Sequence, residues 1–338
     1  MRTSDFSFEL PPEAIAQRPA EPRDSARLMH LRREREAIAH RVFRDLPELL
    51  RPGDLLVLND TRVMAARLNG ARGDTGGAVE ALLVRPITDV RWQVLFRPAR
   101  AAVHGRIFVF ETTHGPLQAM AIARDESTVE LEFAHPFDPA TVGRVPLPPY
   151  IRGYEGDPER YQTVFSREAR SAAAPTAGLH FTPELLDRLA ERGIEQATVT
   201  LEVGPGTFRP VTVEDPRDHD LHEEHVTVPA AAAEAIQRAK AESRRVVAVG
   251  TTVVRTLEHV ARERGRVEPY EGWTRLKILP GDPFAVIDAL ITNFHLPQST
   301  LLMLVCAFAG TPFVLRAYEE AVATGYRFYS FGDAMLLE

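Results

Sequence analysis

Thiols and lysines are nearly absent from this chain. The single cysteine is Cys306, inside an apolar run, so a buried thiol is expected rather than a nucleophile. With one cysteine, neither a disulfide framework nor a cysteine zinc site can form within the chain, and the usage suits a reducing cytoplasm. Lys240 and Lys277 are the only lysines, so nearly all positive charge is arginine. Arginine binds phosphate bidentately and stacks on bases, although a codon or thermal bias of the source gives the same composition. Long hydrophobic runs are missing too. The longest, 299–309, is far short of the about 20 residues that span a bilayer. The N-terminus carries Asp5 and Glu9 and no apolar core of the kind a secretory signal needs. There is no excess of positive charge. The formal net charge is −7, which argues against a broad nucleic-acid-coating surface and leaves room for a local basic patch.

What is present is ordinary globular material. A length of 338 residues suggests two domains and is ample for a core without structural metal. After Asn59, period-two apolar runs at 81–84, 92–96, 107–110, 117–122 and 129–133 read as short strands between Gly, Pro, Asp and His turns, the pattern of a small barrel or sandwich. The Pro-rich stretch 146–149 ends that segment. Beyond it, helix and strand alternate. Helices are expected at 182–192, with Thr182 as N-cap and Pro183 at the first helical position, and at 229–243, from 251 to about 264, 299–309 and 312–324. Strands are expected at 197–203, 245–249 and 289–294. The expected architecture is a mixed-sheet α/β domain, residues 1–64 and 149–338, interrupted by an inserted small β-barrel domain, 65–148.

Five segments carry polar groups suited to chemistry. The first, Ala174 to Pro183, reads as a loop feeding a helix N-terminus, where free N–H groups favour an anion. It contains Thr176, Gly178 and His180, and a turn with a satisfied histidine is the competing reading. The second runs from a strand into Glu202-Val203-Gly204-Pro205-Gly206-Thr207-Phe208. An acidic residue before Gly-x-Gly invites a Rossmann-type methyltransferase, but Phe208 stands where a third glycine belongs and Pro210 opposes the crossover helix. In the third, Asp218 to His225, the density of His and carboxylate admits a metal site, acid/base groups or a solvated loop. Pro216 favours a loop, and no His-Glu-x-x-His pattern is present. The fourth, Gly250 to Arg255, opens a helix after a buried strand and offers a second anion pocket through Thr252 and Arg255. It lacks the Gly-Lys-Ser/Thr ending of an ATP-binding loop. The fifth, Ile291 to Thr300, ends a strand and caps a helix, placing Asn293 and His295 where open α/β sheets bind ligands. At the C-terminus, Tyr326 to Asp333 interleaves aromatics with Arg327 and Asp333, as base-stacking platforms and hydrophobic cores both do.

Taken in order, these segments resemble the S-adenosylmethionine:tRNA ribosyltransferase-isomerase family of queuosine biosynthesis from end to end. The matching stretches include Asp5-Phe6 with Glu9-Leu10-Pro11, Asn59-Asp60-Thr61-Arg62, 146–151, 173–181, 203–208, 219–224, 250–258, 292–310 and 326–335. The resemblance implies an α/β domain with an inserted barrel. It implies attack by the amine of 7-aminomethyl-7-deazaguanine, at the tRNA wobble position, on the ribosyl 5′ carbon of S-adenosylmethionine. Methionine and adenine leave and the ribose rearranges, giving epoxyqueuosine. No metal, flavin or ATP is implied; S-adenosylmethionine is consumed as co-substrate, and a cytoplasmic monomer acting on the anticodon loop is expected. Two departures stand out. Many members carry His at the position of Glu202. Many also place an arginine two residues after Pro-Pro-Tyr-Ile, where this chain has Arg152 at once and then Gly153.

An alkyl amine titrates near 10, so only about one in a thousand is free base at pH 7, and the enzyme must desolvate it or supply a base. His180, His222, Glu202 and Glu224 are the catalytic candidates, with the histidines expected to handle protons because imidazole titrates nearest neutrality. Glu202 and Asp333 are candidates for ribose hydroxyls or the sulfonium. Thr176, Gly178, Gly204, Gly206, Thr207, Thr252, Arg255, Asn293, His295 and Asp333 form the expected substrate set. Arg62, Arg97 and Arg100, with Arg67 and Arg106 nearby, are expected to hold tRNA phosphates. The rivals are a methyltransferase and a non-catalytic RNA-binding module.

Overall fold

The computed structural model describes residues 1–125, 128–148, 150–204 and 211–338. The chain opens with β1 (Arg27–Arg32) and β2 (Ala37–Val42), then α1 (Leu46–Leu49), β3 (Leu55–Asn59) and β4 (Arg62–Val63). Six strands follow: β5 (Arg67–Arg72), β6 (Ala78–Pro86), β7 (Arg91–Arg97), β8 (Ile107–Thr112), β9 (Gly115–Arg124) and β10 (Val129–Phe133). The remainder runs β11 (Ala169–Ser171), α2 (Pro183–Glu191), β12 (Glu195–Leu201), β13 (Glu224–Val228), α3 (Ala230–Ala241), β14 (Val246–Val249) and α4 (Thr251–Arg264). It ends with β15 (Tyr270–Thr274), β16 (Ala289–Asn293), α5 (Thr300–Ala309), α6 (Thr311–Ala323) and β17 (Ala334–Leu337).

Two compact units result. One comprises Met1–Thr61, Pro149–Ser166 and Pro175–Glu338, the other Arg62–Pro148 and Arg167–Ala174. The short segment Arg167–Ala174, left with the α/β part on sequence grounds, groups with the second unit because β11 pairs with β4.

The second unit is built on a closed barrel of order β10-β7-β6-β5-β8-β9. Alternation dictates its filling: along β7, Trp92, Val94 and Phe96 are buried while the residues between them are not. Phe108, Phe110, Leu131 and Phe133 complete an aromatic-rich interior. At Gly70 a Cβ would lie 2.3 Å from the Val109 carbonyl oxygen, so only glycine admits that approach.

The first unit holds a nine-stranded mixed sheet, β15-β13-β12-β3-β14-β16-β17-β1-β2. Its central strands are apolar on both faces, which is why they read as continuous runs. Leu55, Val57, Val246, Ala248, Met335 and Leu337 face α3, α4, α5 and α6, whereas Leu56, Leu58, Val247, Val249, Ala334 and Leu336 pack with Leu46 of α1 and with Leu185 and Leu189 of α2. The caps work as expected: the Thr182 hydroxyl accepts from Leu185 N and the Ser299 hydroxyl from Leu302 N. Cys306 is buried in α5, and its thiol is pushed up to about 12 by desolvation, which leaves it protonated and inert. No single described helix is long and apolar enough to cross a membrane.

Several strands were not expected, among them β4, β5, β11 and β15. The hairpin β1–β2 and strand β3 precede Asn59, and β17 follows the C-terminal aromatics. The loop expected through His225 gives way at Glu224 to β13, where Val226 and Val228 point inward and Glu224 pairs in register with Thr274.

Candidate active site

Topology assembles the site. Strands β12, β3, β14 and β16 are mutually parallel, so their C-terminal ends share one edge. Strands β13 and β17 run antiparallel to their neighbours, so they begin at that same edge. Asn59, Glu202, Glu224, Gly250 to Thr252, Asn293 and Asp333 therefore converge, although they are scattered through the sequence. Ligands of open α/β sheets bind beyond such strand ends.

Asn59 ties the edge together. Its amide nitrogen donates to Leu201 O at 3.1 Å and to the Thr252 hydroxyl at 3.3 Å, and its oxygen accepts from Leu201 N and Thr61 N. Glu224 and Arg255 form a buried ion pair; Glu224 also accepts from Gly204 N at 3.0 Å, and Arg255 donates from Nε to Leu276 O at 2.8 Å. One terminal nitrogen of Arg255, Nη2, is buried without a hydrogen-bond partner. A pocket brings Gly204, His222, Glu224 and Arg255 together with Lys277. His222 is exposed there.

His180 ends a 3-10 turn, Thr176–His180, with its ring 4.9 Å from that of Phe43. The Asn293 amide nitrogen donates to Tyr329 O at 3.0 Å, which fixes the amide orientation, and lies 3.2 Å from His180 Nε2. Nε2 must then accept, and the proton of the neutral ring sits on Nδ1. Desolvation by burial lowers His180 to about 4, partly offset by Asp333. The premise that His180 titrates near neutrality is therefore corrected: at pH 7 it is neutral, with Nε2 engaged by Asn293. His295, bonded through Nε2 to the Thr292 hydroxyl at 2.9 Å, is lowered by desolvation to about 3. Asn293 Oδ1 is a second buried atom without a partner.

Other expected residues have structural partners. Asp333 accepts from Arg27 N at 3.0 Å and Arg327 N at 2.8 Å, bracing the start of β1 against the C-terminal turn. Tyr326, Phe328 and Phe331 are core. Gly178 is buried where a Cβ would meet Phe165 and Thr163 below 3.0 Å. The N-terminus of α2 is capped by Thr182, so it is not the open anion site that its sequence suggests. Gly206, Thr207 and Phe208 lie outside the described residues; the chain leaves β12 and returns antiparallel as β13, with only the short 3-10 turn Pro216–Asp218 between them among the described residues. Among the described residues no three His, Cys, Asp or Glu side chains cluster as metal ligands. On the barrel unit, Arg97 and Arg100 are exposed and Arg62 is half-buried; Arg67 and Arg106 sit 3.7 Å from Glu80 and 3.2 Å from Asp74.

A family model described as queuosine biosynthesis protein matches residues 3–337. The chain belongs to this family. Relatives named S-adenosylmethionine:tRNA ribosyltransferase-isomerase, from Symbiobacterium thermophilum and Desulfitobacterium hafniense, are 54% and 51% identical, each over 100% of both chains. A crystal structure of S-adenosylmethionine tRNA ribosyltransferase from Thermotoga maritima is 41% identical, covers 99% of this chain and 100% of its own, and gives a TM-score of 0.59.

Within this queuosine biosynthesis protein, sequence reasoning missed two features. His225 lies beside Glu202, Nδ1 to Oε1 at 3.4 Å, and edge-on to Trp273 at 5.1 Å, which is exposed. An imidazole thus flanks the position where many members place one directly. Arg23 and Arg160 line a pocket with His180, the Arg23 guanidinium donating to Gln162 O and Glu159 O. Neither pairing has a local sequence signal, because each joins distant segments.

Proposed function

We propose that this protein transfers and isomerises the ribosyl group of S-adenosylmethionine onto the aminomethyl group of 7-aminomethyl-7-deazaguanine in tRNA, giving epoxyqueuosine. The α/β unit carries the chemistry, and the protein works as a cytoplasmic monomer on the anticodon loop. The observation that carries the reading is the single sheet edge that gathers the family-matched segments around two unsatisfied buried atoms, Arg255 Nη2 and Asn293 Oδ1. Buried polar groups are nearly always satisfied, and an exception at strand ends points to a ligand that completes it.

In the first step the amine nitrogen bonds to C5′ of the ribosyl group, and the C5′–S electron pair stays on sulfur as methionine leaves. Free amine at pH 7 costs about 4 kcal/mol, three units at 1.36 kcal/mol each. A desolvating site lowers that cost by disfavouring the ammonium. His180 takes a proton only when substrate displaces the Asn293 amide from its Nε2, His222 is the other proton-handling candidate, exposed at the pocket, and Glu202 faces the sulfonium or ribose hydroxyls. Glu224 holds Arg255 in place. Thr252, Asn293 and His295 line the strand ends, with Gly204 beside them and Thr176 and Gly178 shaping the turn that carries His180; Gly206 and Thr207 stay in the proposed substrate set. Arg62, Arg97 and Arg100 contact tRNA phosphates. S-adenosylmethionine is the co-substrate, and no other cofactor takes part.

Incubation with labelled S-adenosylmethionine and tRNA bearing the deazaguanine base tests this. Free adenine and methionine are the expected products. S-adenosylhomocysteine would instead identify a methyltransferase, and intact S-adenosylmethionine with bound tRNA a binding module.

A further inference from the structure

One aromatic ring stands in solvent at the strand-end edge. Of the described phenylalanines, tyrosines and tryptophans only Trp273 is exposed, at 49%, although tryptophan is highly buried on average. Strand β15 runs antiparallel to β13, which runs antiparallel to β12, so β15 ends at the edge where the parallel strands end, and Trp273 is its next-to-last residue. Along β13, Glu224, Val226 and Val228 are buried on the side of α3 and α4, whereas His225 and Thr227 turn to the other face. Trp273 pairs in register with His225 and shares that face, which is the one where Ala177 and Phe181 pack on either side of His180 in the chain. The ring is also held. It meets the His225 ring at 5.1 Å with the planes 70° apart, and His225 lies between Glu202 at 3.4 Å and Glu271 at 3.8 Å. An aromatic surface ordered in advance loses little freedom when a ligand covers it. Charge selects the occupant. Two carboxylates flank His225, and the next cation along the chain, Arg275, is engaged by Glu223 at 3.0 Å. Carboxylates repel phosphate and accept from the imino and amino N–H groups of a nucleobase. A flat ring edged by acceptors therefore fits a base rather than a sugar-phosphate backbone.

We propose that Trp273 is a stacking platform for an unpaired base of the RNA substrate's loop, with His225 fixing the ring and Glu271 accepting from the base edge. This rests on the function proposed above and names a binding residue for its RNA. Stacking is sequence-tolerant because every base has a π-face, so Trp273 contributes affinity and position for RNA, and binding of S-adenosylmethionine does not depend on it.

The test uses the chain's two tryptophans, Trp92 buried in the barrel and Trp273 exposed. Full-length protein is titrated with an anticodon stem-loop RNA carrying 7-aminomethyl-7-deazaguanine and, separately, with S-adenosylmethionine. The RNA is expected to quench the exposed tryptophan's emission and S-adenosylmethionine to leave it unchanged. Trp273→Phe should lose the quenching, because only Trp92 then emits, yet keep KM for the RNA within about threefold of wild type, since a ring still stacks. Trp273→Ala should raise KM for the RNA about five- to 150-fold, with KM for S-adenosylmethionine within about twofold and the melting temperature held. An abasic nucleotide at the wobble position separates two sources of the base: lost quenching assigns the platform to the target base, retained quenching to a neighbour in the loop. No quenching by RNA, equal quenching by S-adenosylmethionine, or an unchanged KM for RNA in Trp273→Ala overturns the proposal. The two readings fail separately. Wild-type kinetics of adenine release in Trp273→Ala remove the platform and leave the function. Quenching by RNA that depends on Trp273, without adenine release, does the reverse.

Discussion

The two edges of the large sheet are built from the same strands and treat their charged groups differently. At the edge formed by the start of β14 and the end of β17, Arg245 reaches Asp54 at 2.6 Å and also bonds Glu338, while Lys240 lies 3.3 Å from Asp288. Charge there, largely buried at Arg245 and exposed at Lys240, is matched by opposite charge. At the other edge Arg255 keeps a nitrogen and Asn293 an oxygen without partners, and His180 and His295 are buried in neutral form. The first arrangement closes the fold. The second leaves hydrogen-bonding capacity for something the chain does not itself supply, at a cost of about 1–3 kcal/mol per unsatisfied group. The contrast is one of degree, since His30 beside Glu338 on the structural edge also keeps Nδ1 without a partner; what sets the binding edge apart is that its two unsatisfied atoms lie among the family-matched segments.

The largest effect that sharpens this contrast should come from His180. His180→Ala is expected to slow single-turnover adenine release by about 10²- to 10⁴-fold; near wild-type rates in both His180→Ala and His222→Ala would remove the proposed proton roles. Arg245→Ala probes the opposite edge. It strands Asp54 and Glu338, and urea denaturation should report a loss of about 3–5 kcal/mol, while adenine release per folded molecule stays within about twofold of wild type. A large rate defect at unchanged stability would erase the distinction between the edges.

Acidification gives a smaller, graded effect. The buried imidazoles are neutral in the folded protein, so the unfolded chain binds protons first as the pH falls below about 6.5. The stability they contribute above that pH is lost progressively towards about 4 for His180 and about 3 for His295. A His180→Gln, His295→Gln variant should show a flatter melting-temperature profile between pH 7 and 4; an unchanged slope would mean other groups carry it. The smallest effect lies outside both edges, on the barrel. Arg97→Ala with Arg100→Ala should weaken tRNA binding severalfold and flatten its salt dependence by about one unit of slope per lost phosphate contact. Identical salt slopes would show that these arginines do not touch RNA.

Much of this was legible locally. The helices after residue 180 fall within a residue or two of their expected bounds because Thr182, Ser299 and the glycine turns mark their ends, and the barrel strands follow period-two alternation closed by Gly and Asp turns. Strands β1 and β17 escaped because their signals are short and no alternating surface flags them: Leu28 to Leu31 and Ala334 to Leu337 are buried on both faces. At the site, the relevant segments stood out by composition, but their arrangement did not. That Glu224 pairs with Arg255, that Asp333 braces backbone rather than lying open, and that His180 is too buried to charge all depend on strand order, which no segment encodes alone.

The most direct test is hydrogen exchange with and without S-adenosylmethionine. Slowed exchange confined to the backbone amides around 202–204, 250–256 and 293–295, with 32–36, 51–54 and 245–246 unchanged, is the predicted result. Protection at 32–36 and 245–246 instead, with the strand ends unaffected, would contradict the assignment of the reaction to this edge.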